Sequence, residues 1–143
     1  MEYNKNASCI VVDNFYSNPD EVRAWALEQN YKAPGDHGAV GYRSEEGRKI
    51  WPGTKETFEK LLHGKIEEGG DIGGWDYSVN GCFQWCPAGT PMVFHCDPQN
   101  YAAMVYLCPD APTEGGTGLY KHKETGLTQP ANEIDFQRMF KKL

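Results

Sequence analysis

A chain of 143 residues and 16.1 kDa is long enough for one domain with a sizeable core. Its net charge of −6 is spread evenly, since residues 1–70 carry 9 basic and 12 acidic groups and residues 71–143 carry 5 and 8. No basic stripe is left to neutralise phosphates, which argues against direct nucleic-acid binding. No apolar run approaches the ~20 residues of a membrane span, and the polar start at residues 1–7 does not read as a secretory signal. Five cysteines, an odd number, then point to reduced thiols and a cytoplasmic location.

Along the chain, Cys9–Val12 reads as a strand leading into Asp13-Asn14-Phe15-Tyr16. Ser17 or Asn18 suits the N-cap of a helix whose first turn holds Pro19, Asp20 and Glu21, residues matched to the positive end of a helix dipole. Val22, Trp25, Ala26 and Tyr31 give that helix an apolar stripe. Residues 32–53 read as one long irregular loop, with Gly35, Gly38, Gly41 and Gly47 spaced through it. Within it Arg43 is a candidate for a substrate carboxylate, although a solvated arginine is the commoner case.

Helix returns over 54–66, with Thr54 as cap and Phe58, Leu61, Leu62 and Ile66 on the buried side, and His63 off that stripe. Residues 75–86 read as a strand with Gly81 as a bulge, and Pro87-Ala88-Gly89-Thr90 as a turn. Further strands are expected over 91–96, 102–108 and 117–122. Asn132 suits the cap of a last helix, with Phe136, Met139, Phe140 and Leu143 on one face and Lys141 and Lys142 at its end. The predicted class is α+β, mainly β, in a single domain over residues 1–143.

The candidate chemistry lies in Phe94-His95-Cys96-Asp97. On a strand, side chains alternate, so Met92, Phe94 and Cys96 share one face while Val93, His95 and Asp97 share the other. An imidazole and a carboxylate two residues apart are two parts of a 2-His-1-carboxylate site for non-haem Fe(II). Taken alone, the tripeptide fits a solvated strand end better. Downstream, however, come the unbroken apolar run Tyr101–Cys108, a turn-rich loop, and Gly115-Gly116-Thr117-Gly118-Leu119-Tyr120.

That order resembles the 2-oxoglutarate- and Fe(II)-dependent oxygenases, on the prolyl 4-hydroxylase side of the superfamily, in a branch found in phages and marine bacteria. The likeness is specific over residues 81–126 and looser over Val11–Tyr16 and the helix after it. It implies a double-stranded β-helix, or jelly roll, of eight strands with the N-terminal helices packed on one sheet. It implies Fe(II) held by His95, Asp97 and a second histidine, with 2-oxoglutarate as co-substrate and a peptide or small-molecule C–H bond as substrate. Trp85 stands near the place where the family commonly has a tyrosine against the co-substrate, and Tyr106 is a second candidate contact. An indole donates one N–H but has no hydroxyl, so Trp85 departs from the pattern.

His122 is the one histidine after Asp97, closer than the family places its distal ligand. It reads more as a surface or substrate-side residue than as a third ligand. A structural zinc at Cys82, Cys86, His95 and Cys96 is disfavoured. An extended Cys-x3-Cys sets its Cα atoms about 13 Å apart, too far to share ~2.3 Å Zn–S bonds. Five strand candidates against the family's eight imply the N-terminal part of such an oxygenase, as a truncated product or a natural short form. Open sheet edges and the apolar last helix then predict a homo-oligomer. The rival readings are a non-catalytic jelly-roll binding module and a phage accessory or structural protein.

Overall fold

The computed structural model describes residues 9–35, 40–44 and 49–132, together with Ile134, Asp135 and Met139. Besides helical residues at Ile134, Asp135 and Met139, two helices and a small antiparallel sheet are described in full. They follow in the order α1 (Pro19–Leu27), β1 (Tyr31–Lys32), β2 (Tyr42–Ser44), α2 (Thr54–Leu62) and β3 (Gln84–Trp85). The class is α+β, as the pattern predicts. The described residues hold more helix than paired strand, however, so the expected predominance of β structure is not met there.

Helix α1 begins where the sequence places it, with Asn18 at the N-cap, Pro19 at the first turn and Asp20 and Glu21 behind it. The Asn18 amide donates to Glu21 Oε2 at 2.7 Å instead of accepting a backbone N–H. Val22 and Ala26, one turn apart, are the two buried apolar side chains among the described residues. Beyond the helix, Tyr31 Oη donates to the Ala26 carbonyl at 2.7 Å and Gln29 Nε2 to the Trp25 carbonyl at 2.9 Å. Both carbonyls also accept backbone N–H bonds, from Glu28 to Trp25 and from Gln29 to Ala26, each at 3.2 Å, so the side chains reinforce a last turn that is already closed.

An aromatic cluster packs between the helices and the sheet. Trp25 meets Trp51 edge-on at 5.7 Å and Phe83 at 5.3 Å, and Phe15 meets Phe58 at 5.0 Å. The Lys49 ammonium lies 4.8 Å and 4.5 Å from the Trp25 and Trp51 rings, within the range where a ring face attracts a cation.

The loop expected over 32–53 is corrected by β2, which lies inside it and pairs antiparallel with β1 and β3, giving the order β1-β2-β3. Its partners are distant in sequence: Tyr42 opposes Trp85 and Arg43 opposes Gln84. Ser44 N–H donates to the Phe83 carbonyl at 2.9 Å, and Phe83 N–H returns to Ser44 Oγ at 3.0 Å. Ser44 is buried. Ser44→Ala is therefore expected to leave the Phe83 N–H without its acceptor and to cost about 1–3 kcal/mol. Urea denaturation reads this directly, and an unchanged midpoint would show that water replaces the hydroxyl.

Helix α2 starts after Gly53, not with Thr54 as cap, and ends at Leu62, four residues short of the expected Ile66. His63 is left-handed at φ 51°, and Gly64 N–H closes back on the Glu59 carbonyl at 3.1 Å. The Glu59 carboxylate also accepts the Ile66 N–H at 3.1 Å, so the chain turns instead of continuing the helix. Phe58, Leu61, Leu62 and Ile66 are half-buried.

The strand expected over 75–86 shrinks to Gln84–Trp85. Upstream of it, Trp75 N–H reaches the Glu67 carbonyl at 2.8 Å, and Asn80 Nδ2 donates to the carbonyls of Gly74 and Trp75, each at 3.0 Å. Those local bonds hold the backbone in turns. The strands expected over 9–12, 91–96, 102–108 and 117–122 carry no ladder among the described residues. Apolar alternation makes a segment strand-like, but a ladder also needs a neighbour at the right register.

Near the end of the described chain, Asn132 does cap. Its Oδ1 accepts the Asp135 N–H at 2.9 Å, and Ile134 and Asp135 are helical. Met139 is helical and half-buried, while Phe136, Phe140, Lys141, Lys142 and Leu143 lie outside the described residues, as do Gly38 and Gly47. No helix among the described residues is long and apolar enough to cross a membrane.

Candidate metal centre

His95 and Asp97 lie between Pro91 and Pro98, two residues that cannot donate a backbone N–H. The alternation expected of a strand holds here without a ladder. Phe94 meets Tyr120 edge-on at 4.9 Å, and the Cys96 thiol lies 3.9 Å from the Thr128 carbonyl, so that face is tied to the 120–128 stretch. On the other face, His95 Nε2 and Asp97 Oδ1 come within 3.5 Å of each other. The side chains are 65% and 41% exposed, so the pair opens to solvent.

The histidine's other nitrogen decides what this pair can do. His95 Nδ1 lies 3.1 Å from the Val93 carbonyl oxygen, which only accepts. Nδ1 therefore carries the proton, and in the neutral ring Nε2 presents a lone pair towards Asp97. A lone pair and a carboxylate oxygen 3.5 Å apart are two acceptors, which a proton, a cation or, at this exposure, a water donating to both reconciles. Ligand bonds of ~2.0–2.2 Å set neighbouring ligands of one metal roughly 3 Å apart, so the pair fits two adjacent positions on a cation with a small adjustment. A carbonyl orienting a ligating histidine through its second nitrogen is the usual support for such a ligand.

His122 is held in the opposite tautomer. Its Nδ1 accepts the Thr125 N–H at 3.3 Å and lies 2.9 Å from Thr125 Oγ1, leaving the proton on Nε2. The ring is half-buried in a tight turn, closed by His122 N–H to the Leu127 carbonyl and Gly126 N–H to the His122 carbonyl, both at 2.8 Å. Among the described residues no three His, Cys, Asp or Glu side chains gather around one point, so His122 does not join His95 and Asp97 here. The cysteines of the zinc alternative are dispersed as well. Cys82 Sγ lies 3.5 Å from the Ser78 carbonyl, and all five thiols are free.

The other candidates have partners of their own. Trp85 stacks on Tyr42 with ring centroids 4.3 Å apart and planes 5° from parallel. Arg43 donates to Gln84 Oε1 at 3.2 Å across the same strand pair. Tyr106 Oη donates to Thr117 Oγ1 at 2.6 Å. Sequence reasoning did not single out Val93, Thr117 or Thr125. Val93 acts through its backbone carbonyl, which no side-chain pattern announces. Thr125 stands three residues past His122, the reach of a turn.

The profile of one protein family, described as "Family of unknown function (DUF6445)", matches residues 83–142, less than half of the chain but including His95, Asp97, Tyr106 and His122. No curated protein and no solved structure matches the chain.

Proposed function

We propose that this chain is an Fe(II)- and 2-oxoglutarate-dependent oxygenase of the prolyl 4-hydroxylase-like kind, acting on a peptide or small-molecule C–H bond, with His95 and Asp97 as metal ligands. The observation that carries this reading is the Nδ1 bond from His95 to the Val93 carbonyl, which turns the Nε2 lone pair towards Asp97. Fe(II) bound there with 2-oxoglutarate and O2 supplies oxidative decarboxylation to succinate, coupled to hydroxylation of the substrate. The chain's own part is to hold and orient. Val93 fixes the imidazole, Asp97 supplies the anionic ligand, and the contacts of Phe94 and Cys96 anchor the segment from behind.

A jelly-roll arrangement is part of the proposal. Its support is lateral: Phe94 touches Tyr120 and Tyr106 touches Thr117, which sets the 91–96, 102–108 and 117–122 segments beside one another. His122 enters as third ligand either through Nδ1, giving up its Thr125 contacts, or through Nε2, moving the proton to Nδ1 and losing the Thr125 N–H bond. That engagement favours a second reading, a non-catalytic module that keeps the cleft without turnover.

Succinate formation from 2-oxoglutarate separates the two. The first reading expects succinate only when Fe(II) and O2 are both present, and none from Asp97→Ala. A chain loaded with Fe(II) that releases no succinate with or without candidate peptides would overturn the enzyme reading and leave the binding module.

A further inference from the structure

The register of the sheet sets three polar side chains in one row. Lys32 opposes Arg43 and Arg43 opposes Gln84, so all three project from the same face of β1-β2-β3. Tyr31 and Ser44 alternate to the other face, where the Tyr31 hydroxyl reaches the Ala26 carbonyl and Ser44 is buried. The row therefore faces away from α1, with Lys32 and Gln84 exposed and Arg43 half-buried. Two cations directly opposite each other weaken a strand pair. Among the described residues neither has a carboxylate within ion-pair range to offset that repulsion.

The guanidinium is also held in place. Gln84 Nε2 donates to the Val40 carbonyl at 2.7 Å, which turns Oε1 towards β2, where it accepts from Arg43 Nη2 at 3.2 Å. An amide locked by a backbone oxygen on one side thus steadies the arginine on the other. The remaining N–H groups of Arg43, and the Lys32 ammonium, have no acceptor among the described residues.

We propose that Lys32 and Arg43 form a binding site for the carboxylate of a small ligand, with Gln84 as the residue that positions the guanidinium. A planar guanidinium takes the two oxygens of a carboxylate side by side, and the ammonium beside it adds a point charge. An anion bridging the two removes the repulsion that the empty pair carries. The chain's overall charge of −6 repels an extended polyanion, so a small ligand is what this local pair draws in. The site is independent of the oxygenase reading and stands or falls without it.

Propionate titrated into the purified full chain at roughly 0.01 M ionic strength, where screening is weak, tests the site. Nitrogen-15 spectra of the Arg43 Nε–H and the Gln84 side-chain amide should shift saturably with propionate and stay in place with propionamide, its neutral counterpart. Arg43→Lys keeps the charge but loses the fork, and should weaken binding roughly tenfold or more. Lys32→Gln should weaken it too while raising the urea midpoint, because it ends the repulsion across the strand pair. Gln84→Glu gives Arg43 a carboxylate within the chain and should abolish propionate binding with the circular-dichroism spectrum kept. No saturable shift, an equal response to propionamide, or a urea midpoint that falls in Lys32→Gln overturns the proposal. So does saturation by inorganic phosphate without any by propionate. Glu45 and Glu46, which lie outside the described residues, supply the last arm. Propionate binding that appears only in Glu45→Gln or Glu46→Gln shows that the cations serve the chain's own carboxylate, and overturns the site as well.

Discussion

Gly41→Ala is expected to detach β2 from β3 and to lower stability by about 3–5 kcal/mol, a large part of the 5–15 kcal/mol typical of a domain. Two effects add at this position. Gly41 has φ 74°, a left-handed conformation that costs an L-residue roughly 1–2 kcal/mol. A Cβ there would also stand 2.5 Å from Cys86 Sγ and 2.6 Å from the Trp85 carbonyl oxygen. A thiol can turn aside, but a backbone carbonyl in the strand opposite cannot. Relief requires β2 and β3 to separate, which strains the Ser44–Phe83 bonds and the Tyr42–Trp85 stack together. Gly35 provides the comparison, because it has φ 100° with nothing within 4 Å of its would-be Cβ. Gly35→Ala should therefore show the conformational cost alone. Denaturant midpoints of the two variants give the clash by difference. Equal midpoints would show that β3 yields without loss.

How far the sequence revealed this architecture depends on how local each cause is. Helix α1 was legible because its signals, Asn18, Pro19, Asp20, Glu21 and the Val22–Ala26 spacing, lie within nine residues. The start of α2 was legible for the same reason, but its end was not. Termination rests on His63 adopting φ 51°, a conformation histidine takes more readily than most residues but still uncommonly, and on the Glu59 carboxylate taking the Ile66 N–H, which no local pattern announces. Strand β2 was hidden in a glycine-spaced stretch, since what makes it a strand is the 83–85 segment some forty residues on. The failure over 75–83 has a local cause that hydrophobic pattern ignores, the Asn80 amide gathering the Gly74 and Trp75 carbonyls. At the candidate centre, period-two alternation was enough to bring His95 and Asp97 together. It carried no information about His122, whose tautomer is set by a threonine in its own turn.

The metal assignment makes the other large prediction. His95→Ala and Asp97→Ala should each abolish transition-metal binding, a loss greater than the ~10–100-fold that follows removal of a group merely supporting a ligand. In the proposed site two side chains act as ligands, so removing either leaves one exposed monodentate group, and water holds the cation about as well. Asp97→Asn is the finer probe. It keeps shape and an oxygen while removing the anionic charge, so retention of metal would show that geometry and not charge holds the ion. His122→Ala distinguishes the two readings of the third position. If the His122 ring leaves Thr125 to ligate, its removal lowers metal content along with the other two variants. If it stays as the structure has it, metal content is unchanged and only the 122–127 turn loosens, which amide exchange at Gly126 and Leu127 reports. Elemental analysis of the purified chain after Fe(II) or Co(II) loading reads all four variants at once. Metal content equal to that of the parent in both His95→Ala and Asp97→Ala would remove these residues from the site, because a cation retained without either must be held by other side chains.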